Sequence, residues 1–221
     1  MNQELANVIK IYSTGTHKEL NNYLIGKSKD TLIGMLVDLL TMYINDKNSS
    51  TIREFITVVL AGYKHKEGKI GYNGFKQDVF ISGKTVMCEA KPKNVDTSLK
   101  TLRKLNAGGN VTDYTFKRLK RDKREKDLNM LISGFVDGKL IYILEFPFNY
   151  SKFVKHLKEQ LRHRFKKGKD ITGQFLRSAS FDYRHFISYP NLRVAYILDK
   201  DKLKKYQPFI VKGFYNFLEG I

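Results

Sequence analysis

A single cysteine and a shortage of acidic residues are the first things this chain lacks: 22 aspartates and glutamates stand against 40 lysines and arginines. The lone thiol, Cys88, excludes an internal disulfide and a cysteine-built zinc site, and it suits a reducing compartment. Lying within an apolar run, it reads as a packed core thiol rather than a nucleophile. The histidines, His17, His65, His156, His163 and His185, have no paired metal-ligand spacing. No phosphate-binding Gly-x-x-x-x-Gly-Lys-Ser/Thr loop is present, which argues against an ATP-driven enzyme. No internal repeat is visible. No apolar run approaches the length of a membrane span, and Met1-Asn2-Gln3-Glu4 opens unlike a signal peptide. A cytoplasmic location and no membrane partner are therefore expected.

What is present is positive charge. The formal net charge is +18 over 221 residues, 42% of them hydrophobic, enough for one domain of moderate size with a real core. Such an excess repels itself in the folded state, so a polyanionic partner is expected, nucleic acid first. An anionic membrane surface ranks lower. The basic runs lack the Leu/Phe/Trp-rich opposite face of interfacial helices.

Along the chain, residues 2–25 predict one or two short helices, with Leu5, Val8, Ile9 and Tyr12 at helical spacing. Ser28 to Ile44 predicts a stronger one, capped by Ser28 or Asp30, with a broad stripe of Leu32, Met35, Leu36, Leu39, Leu40 and Tyr43. Thr51-Ile52-Arg53-Glu54 has the spacing of a capping box and opens a helix that stops near Gly62.

Two apolar runs follow, Phe75–Ile81 and Thr85–Ala90, flanking a Ser82-Gly83-Lys84 corner. Strand, turn, strand is the reading. With Gly83-Lys84 as the turn, Asp78 and Glu89 sit opposite one another; with Ser82-Gly83 they are diagonal. Lys91 follows on the same face, and Lys91-Pro92 is expected to end the strand. Two carboxylates that close repel unless a hard cation joins them, and Mg²⁺ takes one or two protein carboxylates plus water and phosphate. An exposed hairpin face with ordinary solvated Asp, Glu and Lys is the competing reading.

Asp78 followed by Glu89-Ala90-Lys91 resembles the Asp…Glu-X-Lys signature of the PD-(D/E)XK nuclease superfamily, which includes most type II restriction endonucleases. Gln77 stands where that signature often has proline. The resemblance covers about Thr51 to Phe148. It implies a Mg²⁺-dependent endodeoxyribonuclease of a restriction system, leaving 5′-phosphate and 3′-hydroxyl ends. Asp78 and Glu89 would be metal ligands, with the Ala90 carbonyl assisting, and Lys91 would orient the attacking water. Glu54 has two readings, a helix cap or the extra acidic residue that many members carry on the helix before the hairpin. A short chain with one site cuts both strands most simply as a homodimer on a palindrome.

The rest is expected to build and clothe this core. Asp113 to Gly134 predicts a long helix whose first half is densely basic, and Lys117, Arg118, Arg121 and Arg124 are candidate phosphate contacts. A solvated helix face is the alternative. Leu140–Phe146 reads as a buried central strand bearing Glu145, a salt-bridge partner or a supporting group for the site. A helix over Ser151–Phe165, a strand over Leu192–Leu198 and a closing helix from Tyr206 to Leu218 follow. Gly168 to Pro190 has little periodicity, and there Lys169, Gln174, Arg177 and Arg184 are candidate DNA contacts, together with the Asn106–Thr115 loop.

The expected fold is α/β: a central mixed sheet flanked by helices, a restriction-endonuclease-like core with an N-terminal helical segment. One domain is expected over 1–221, with a helical part at 1–50, a catalytic core at 51–148 and a C-terminal part at 149–221. The expected activity is sequence-specific cleavage of double-stranded DNA. A structure-specific repair or recombination nuclease and a non-catalytic DNA-binding protein are the alternatives.

Overall fold

Leu128–Val136 and Lys139–Pro147 are buried at nearly every position, as strands covered on both faces must be. They form the middle of the sheet in the computed structural model of the chain, which describes residues 2–45, 50–66, 71–77, 84–98, 103–125 and 127–221. In chain order the elements are α1 (Gln3–Thr14), α2 (His17–Leu24), α3 (Lys29–Asn45), α4 (Thr51–Leu60), β1 (Lys64–His65), β2 (Gly74–Gln77), β3 (Thr85–Val95) and β4 (Gly109–Tyr114). Then come α5 (Phe116–Arg124), β5 (Leu128–Val136), β6 (Lys139–Pro147), α6 (Ser151–Arg164), β7 (Leu176–Phe181), β8 (Arg193–Ile197), α7 (Lys200–Leu203) and α8 (Lys212–Glu219). Short 3₁₀ turns lie at Tyr183–His185 and Lys204–Phe209.

The fold is α/β. Six strands form one mixed sheet in the order β1-β2-β3-β5-β6-β8, with β3 and β5 parallel and the other neighbours antiparallel. One face buries Cys88, Ala90, Leu131, Phe135 and Ile143 against Leu5 and Ile9 of α1, Met35 of α3, and Ile56 and Val58 of α4. The other buries Met130, Ile132, Leu144 and Phe146 against Phe153, Leu157 and Leu161 of α6, a β4–β7 ribbon, and Phe214 and Leu218 of α8. Gly134 faces Tyr142 across the β5–β6 ladder, and a Cβ there would overlap the tyrosine ring. Between α4 and β5, Thr57 and Ser133 share a buried 2.6 Å hydrogen bond.

Several expectations are corrected. The long helix from Asp113 to Gly134 is instead α5 followed by β5: the basic half is helical, and the apolar half is a strand because it is covered from both sides. Pro92 does not end β3, which continues to Val95 with Pro92 paired to Ser133. Ala90 turns its N–H toward the β2 side, so by alternation Pro92 faces the same way beyond the end of β2, and the ladder with β5 loses no donor. The closing helix divides into the 3₁₀ turn and α8, and Gly168 to Pro190 contains β7. The α3 stripe is buried only in part. Met35 reaches the core, while Leu32, Leu36, Leu40 and Tyr43 are exposed.

The hairpin register is also corrected. Gly74 pairs with Cys88, Phe75 with Met87, Lys76 with Val86 and Gln77 with Thr85. The position opposite Glu89 is therefore Asn73, five residues before Asp78, and the two-residue turn does not fit. Gly74 explains the choice. A Cβ there would lie 2.6 Å from Val58 Cγ1 and 2.7 Å from the Lys64 carbonyl, so only glycine lets α4 and β1 close over β2 in this register. Asp78 and Ile81–Gly83 lie outside the described residues.

Candidate active site and nucleic-acid interface

Alternation along β3 sends Cys88 and Ala90 into the core beneath α4 and sends Glu89, Lys91 and Lys93 to the opposite face. Lys91 Nζ donates to Glu89 Oε1 at 2.7 Å, with the two side chains 22% and 16% exposed. That is a half-buried ion pair on an interior strand, screened less than a surface pair. Lys93, one step further, donates to Asn106 Oδ1 at 3.1 Å. Burial, with Arg103 adding to it, holds the Lys93 ammonium below its ordinary pKa. Asn106 Oδ1 also accepts the Gly108 amide, and a Cβ on Gly109 would lie 3.0 Å from Lys91 Cβ. The start of β4 is therefore laid directly against the lysine.

At the edge of this pair stands Asn73. Its Oδ1 accepts the Ala90 amide proton at 2.8 Å, and its Nδ2 donates to Glu54 Oε2 at 3.1 Å. Glu54 lies in the first turn of α4, but the expected capping box is not what starts this helix. Its N-cap is Ser50, which makes no side-chain cap hydrogen bond. Glu54 is thereby tied through Asn73 to the Glu89-Ala90-Lys91 segment. Asn73 was not legible as a site residue, because its role comes from the register; the only trace in the sequence is a small polar residue directly before Gly74.

The oxygen donors here, the Glu89 and Glu54 carboxylates, are hard ligands of the kind Mg²⁺ takes, sparingly and alongside water and phosphate. The chemistry of the donor set thus fits that ion. Among the described residues, no group of three His, Cys, Asp or Glu side chains is placed to hold a metal. Ala90 itself is buried.

Glu145 belongs elsewhere. It is 5% exposed on the α4 side of the sheet, accepting from Tyr63 Oη at 2.5 Å, Asn129 Nδ2 at 2.7 Å and Lys76 Nζ at 3.4 Å, with Arg193 Nη1 against its other oxygen. Burial, then the Glu145 charge, push the Tyr63 hydroxyl well above its ordinary pKa, so it stays a donor. Glu145 is the salt-bridge partner, buried and fully engaged. The partners that sequence reasoning missed are contributed by four different strands and loops.

The candidate DNA contacts divide. Lys117 and Arg124 on α5, Lys169, and Arg177 on β7 are exposed. Arg118 and Arg121 are already engaged: Arg118 donates to the Thr112 carbonyl at 2.7 Å, and Arg121 donates to the buried Asp122 at 2.8 and 3.0 Å. Tyr72 joins Asp122 at 3.3 Å, and burial plus that carboxylate push its pKa up to about 12. Arg184 is held by Asp182 through its Nε and Nη2, and Gln174 accepts weakly from Arg164 at 3.4 Å.

The two segments expected to read bases come together. Asn106–Thr115 and Gly168–Pro190 supply β4 and β7, paired antiparallel from Gly109↔Phe181 to Tyr114↔Leu176. Val111, Tyr114, Ala179 and Phe181 face the core, leaving Asn110, Thr112, Ser178 and Ser180 exposed on one face of a two-stranded ribbon. Gln160 of α6 closes the outer edge of β7, bonding both the N–H and the carbonyl of Ser180 at 2.9 and 2.8 Å.

No family model, no curated protein and no solved structure matches this chain. Among the described residues, no helix is long and apolar enough to cross a membrane.

Proposed function

We propose that this protein is a Mg²⁺-dependent, sequence-specific double-stranded DNA endonuclease of the PD-(D/E)XK type, with its sheet as the restriction-endonuclease-like core. The observation that carries the reading is the Glu89–Lys91 pair at 2.7 Å on an interior strand, with Glu54 joined to the same segment through Asn73. A net charge of +18 supplies the attraction for DNA. A polar ribbon beginning beside Lys91 supports readout next to the cut, because the major groove admits a two-stranded ribbon.

In this reading Asp78 and Glu89 would hold Mg²⁺ with the Ala90 carbonyl assisting, and Glu54, tied to the segment through Asn73, would be the extra acidic residue of the site. When bound, the ion neutralises phosphate charge and favours ionisation of water. Lys91 orients the attacking water and offsets charge on the phosphoryl oxygens as the P–O3′ bond breaks. The water's oxygen stays on phosphorus, and the 3′-oxygen leaves with a proton. The products are 5′-phosphate and 3′-hydroxyl ends.

The test is incubation of the purified chain with a long linear DNA of known sequence, with Mg²⁺ and with EDTA. Discrete Mg²⁺-dependent fragments are expected, and a smear would favour a structure-selective or nonspecific nuclease. Lys91→Ala, Glu89→Gln and Asp78→Asn should each lower cleavage about 10²- to 10⁴-fold while gel retardation of DNA stays within a few fold. Full activity in Lys91→Ala would sink the assignment. Intact DNA that is nonetheless retarded, whatever divalent metal is supplied, would favour the non-catalytic DNA-binding reading. That reading draws on the pairing of Glu89 with a lysine rather than with a second carboxylate.

A further inference from the structure

We infer that the outer face of α3 is a self-association surface, on which a second copy of this chain packs its own α3. Helical geometry of about 100° per residue spreads the apolar residues of α3 over an arc of about 220°, twice what a helix buried on one side needs. The half bearing Met35, Leu39 and Met42 packs into the core. Leu32, Ile33, Leu36, Val37, Leu40 and Tyr43 occupy the other half, each between 40% and 67% exposed. They form an unbroken strip with no charge inside it.

The occupant follows from area and charge. These six side chains expose on the order of 500 Å² of mostly apolar surface, so two copies together reach the roughly 1,000 Å² that a specific interface requires. Tyr43 also lines an apolar cavity of ≈ 420 Å³ with Leu5, Ile9, Leu39, Met42 and Ile52, which continues the apolar surface beyond the strip. Charge decides where another copy can approach. Residues 1–45 carry four lysines, Lys10, Lys18, Lys27 and Lys29, against Glu4, Glu19, Asp30 and Asp38. They are net neutral, so the whole excess of +18 lies in residues 46–221. Net repulsion between two such molecules is therefore least along their N-terminal helices.

The i, i+4 ridges Leu32–Leu36–Leu40 and Ile33–Val37 suit ridge-into-groove packing of like helices. The strip is centred near Leu36, so a twofold axis there brings each ridge against its copy, the isologous geometry of a closed dimer. This inference does not depend on nuclease activity. If that activity holds, the dimer supplies the second site that cutting both strands needs.

The test is sedimentation velocity on the full chain, freed of nucleic acid, from low to high micromolar concentration at about 0.1 and about 0.5 M NaCl. A dimer is expected, and higher salt should tighten it by screening the like charges. Leu36→Glu/Leu40→Glu should weaken it about 100-fold or more without changing the circular dichroism spectrum. Because Cys88 is fully buried, Leu36→Cys introduces the one accessible thiol among the described residues, and mild oxidation should give a covalent dimer. A wild-type chain that stays monomeric overturns the inference. So does a dimer that survives the double glutamate change, or one that dissociates as salt rises.

Discussion

Asn73 accepts the backbone proton of Ala90 at 2.8 Å, and the same side chain donates to Glu54 at 3.1 Å. One amide thus ties the helix that precedes the hairpin to the strand that bears Glu89 and Lys91. An aspartate at position 73 would keep the acceptor for Ala90 but set a carboxylate against Glu54. In EDTA, Asn73→Asp should cost about 2 kcal/mol, a fall of roughly 4–8 °C in Tm for a chain of this size. Mg²⁺ should restore most of that loss by bridging the carboxylates. Thermal melts of wild type and variant with and without Mg²⁺ decide it; a variant indifferent to the ion would mean that this corner holds no cation.

Glu145 predicts a stability effect with no bearing on catalysis. Removing it leaves Arg193, Lys76 and Asn129 around an empty acceptor in a mostly buried setting. Breaking one side of a buried ion pair typically costs about 3–5 kcal/mol, and the half-exposed arginine puts this case at about 3. Urea denaturation of Glu145→Ala should report a loss of that order. A change below about 1 kcal/mol would mean that water replaces the carboxylate at little cost.

The basic residues of α5 should separate into two classes. Lys117 and Arg124 are exposed, so each alanine change should reduce the slope of log K against log salt for DNA binding by about 1. Arg118 instead holds the Thr112 carbonyl and lies 3.6 Å from Asp122, so Arg118→Ala should lower stability by about 1 kcal/mol. Binding isotherms at several salt concentrations, beside denaturation curves, separate the two. Equal slopes for all three variants would refute the division.

His156 and His185 stack with ring centroids 3.5 Å apart. Burial, then the neighbouring His156, hold the His185 pKa below its ordinary value, although Asp182 pulls the other way. A depressed pKa means that the unfolded chain takes up this proton first on acidification. Stability from this group is therefore complete above about pH 6.5 and is lost as pH falls through the lower, folded value. Denaturation midpoints between about pH 7.5 and pH 5 should fall on the acid side. The fall should be shallower in His156→Gln, and an unchanged slope in that variant would contradict the coupling.

The fold class, the central strand Leu140–Phe146, α6 and the N-terminal helices were legible in the sequence because each is written in local periodicity and composition. So was the Glu89-Ala90-Lys91 segment, since alternation on a strand fixes which residues share a face whatever the partner strand does. The apolar run from Leu128 was misread as helix because short apolar runs carry no period, and only cover on both faces decides in favour of a strand. Asn73 was invisible because register is a property of two strands and of what packs on them; here the missing side chain of Gly74 beneath Val58 selects it. Arg118, Arg121 and Arg184 are engaged by acceptors only one to six residues away in sequence, a pairing set by local backbone geometry that composition does not show. Sequence alone determined the strong positive charge and the strand carrying the Glu-Ala-Lys segment. Tertiary structure decided what stands beside that segment, which cations stay exposed, and which half of α3 meets the core, because packing spends side chains that composition can only count.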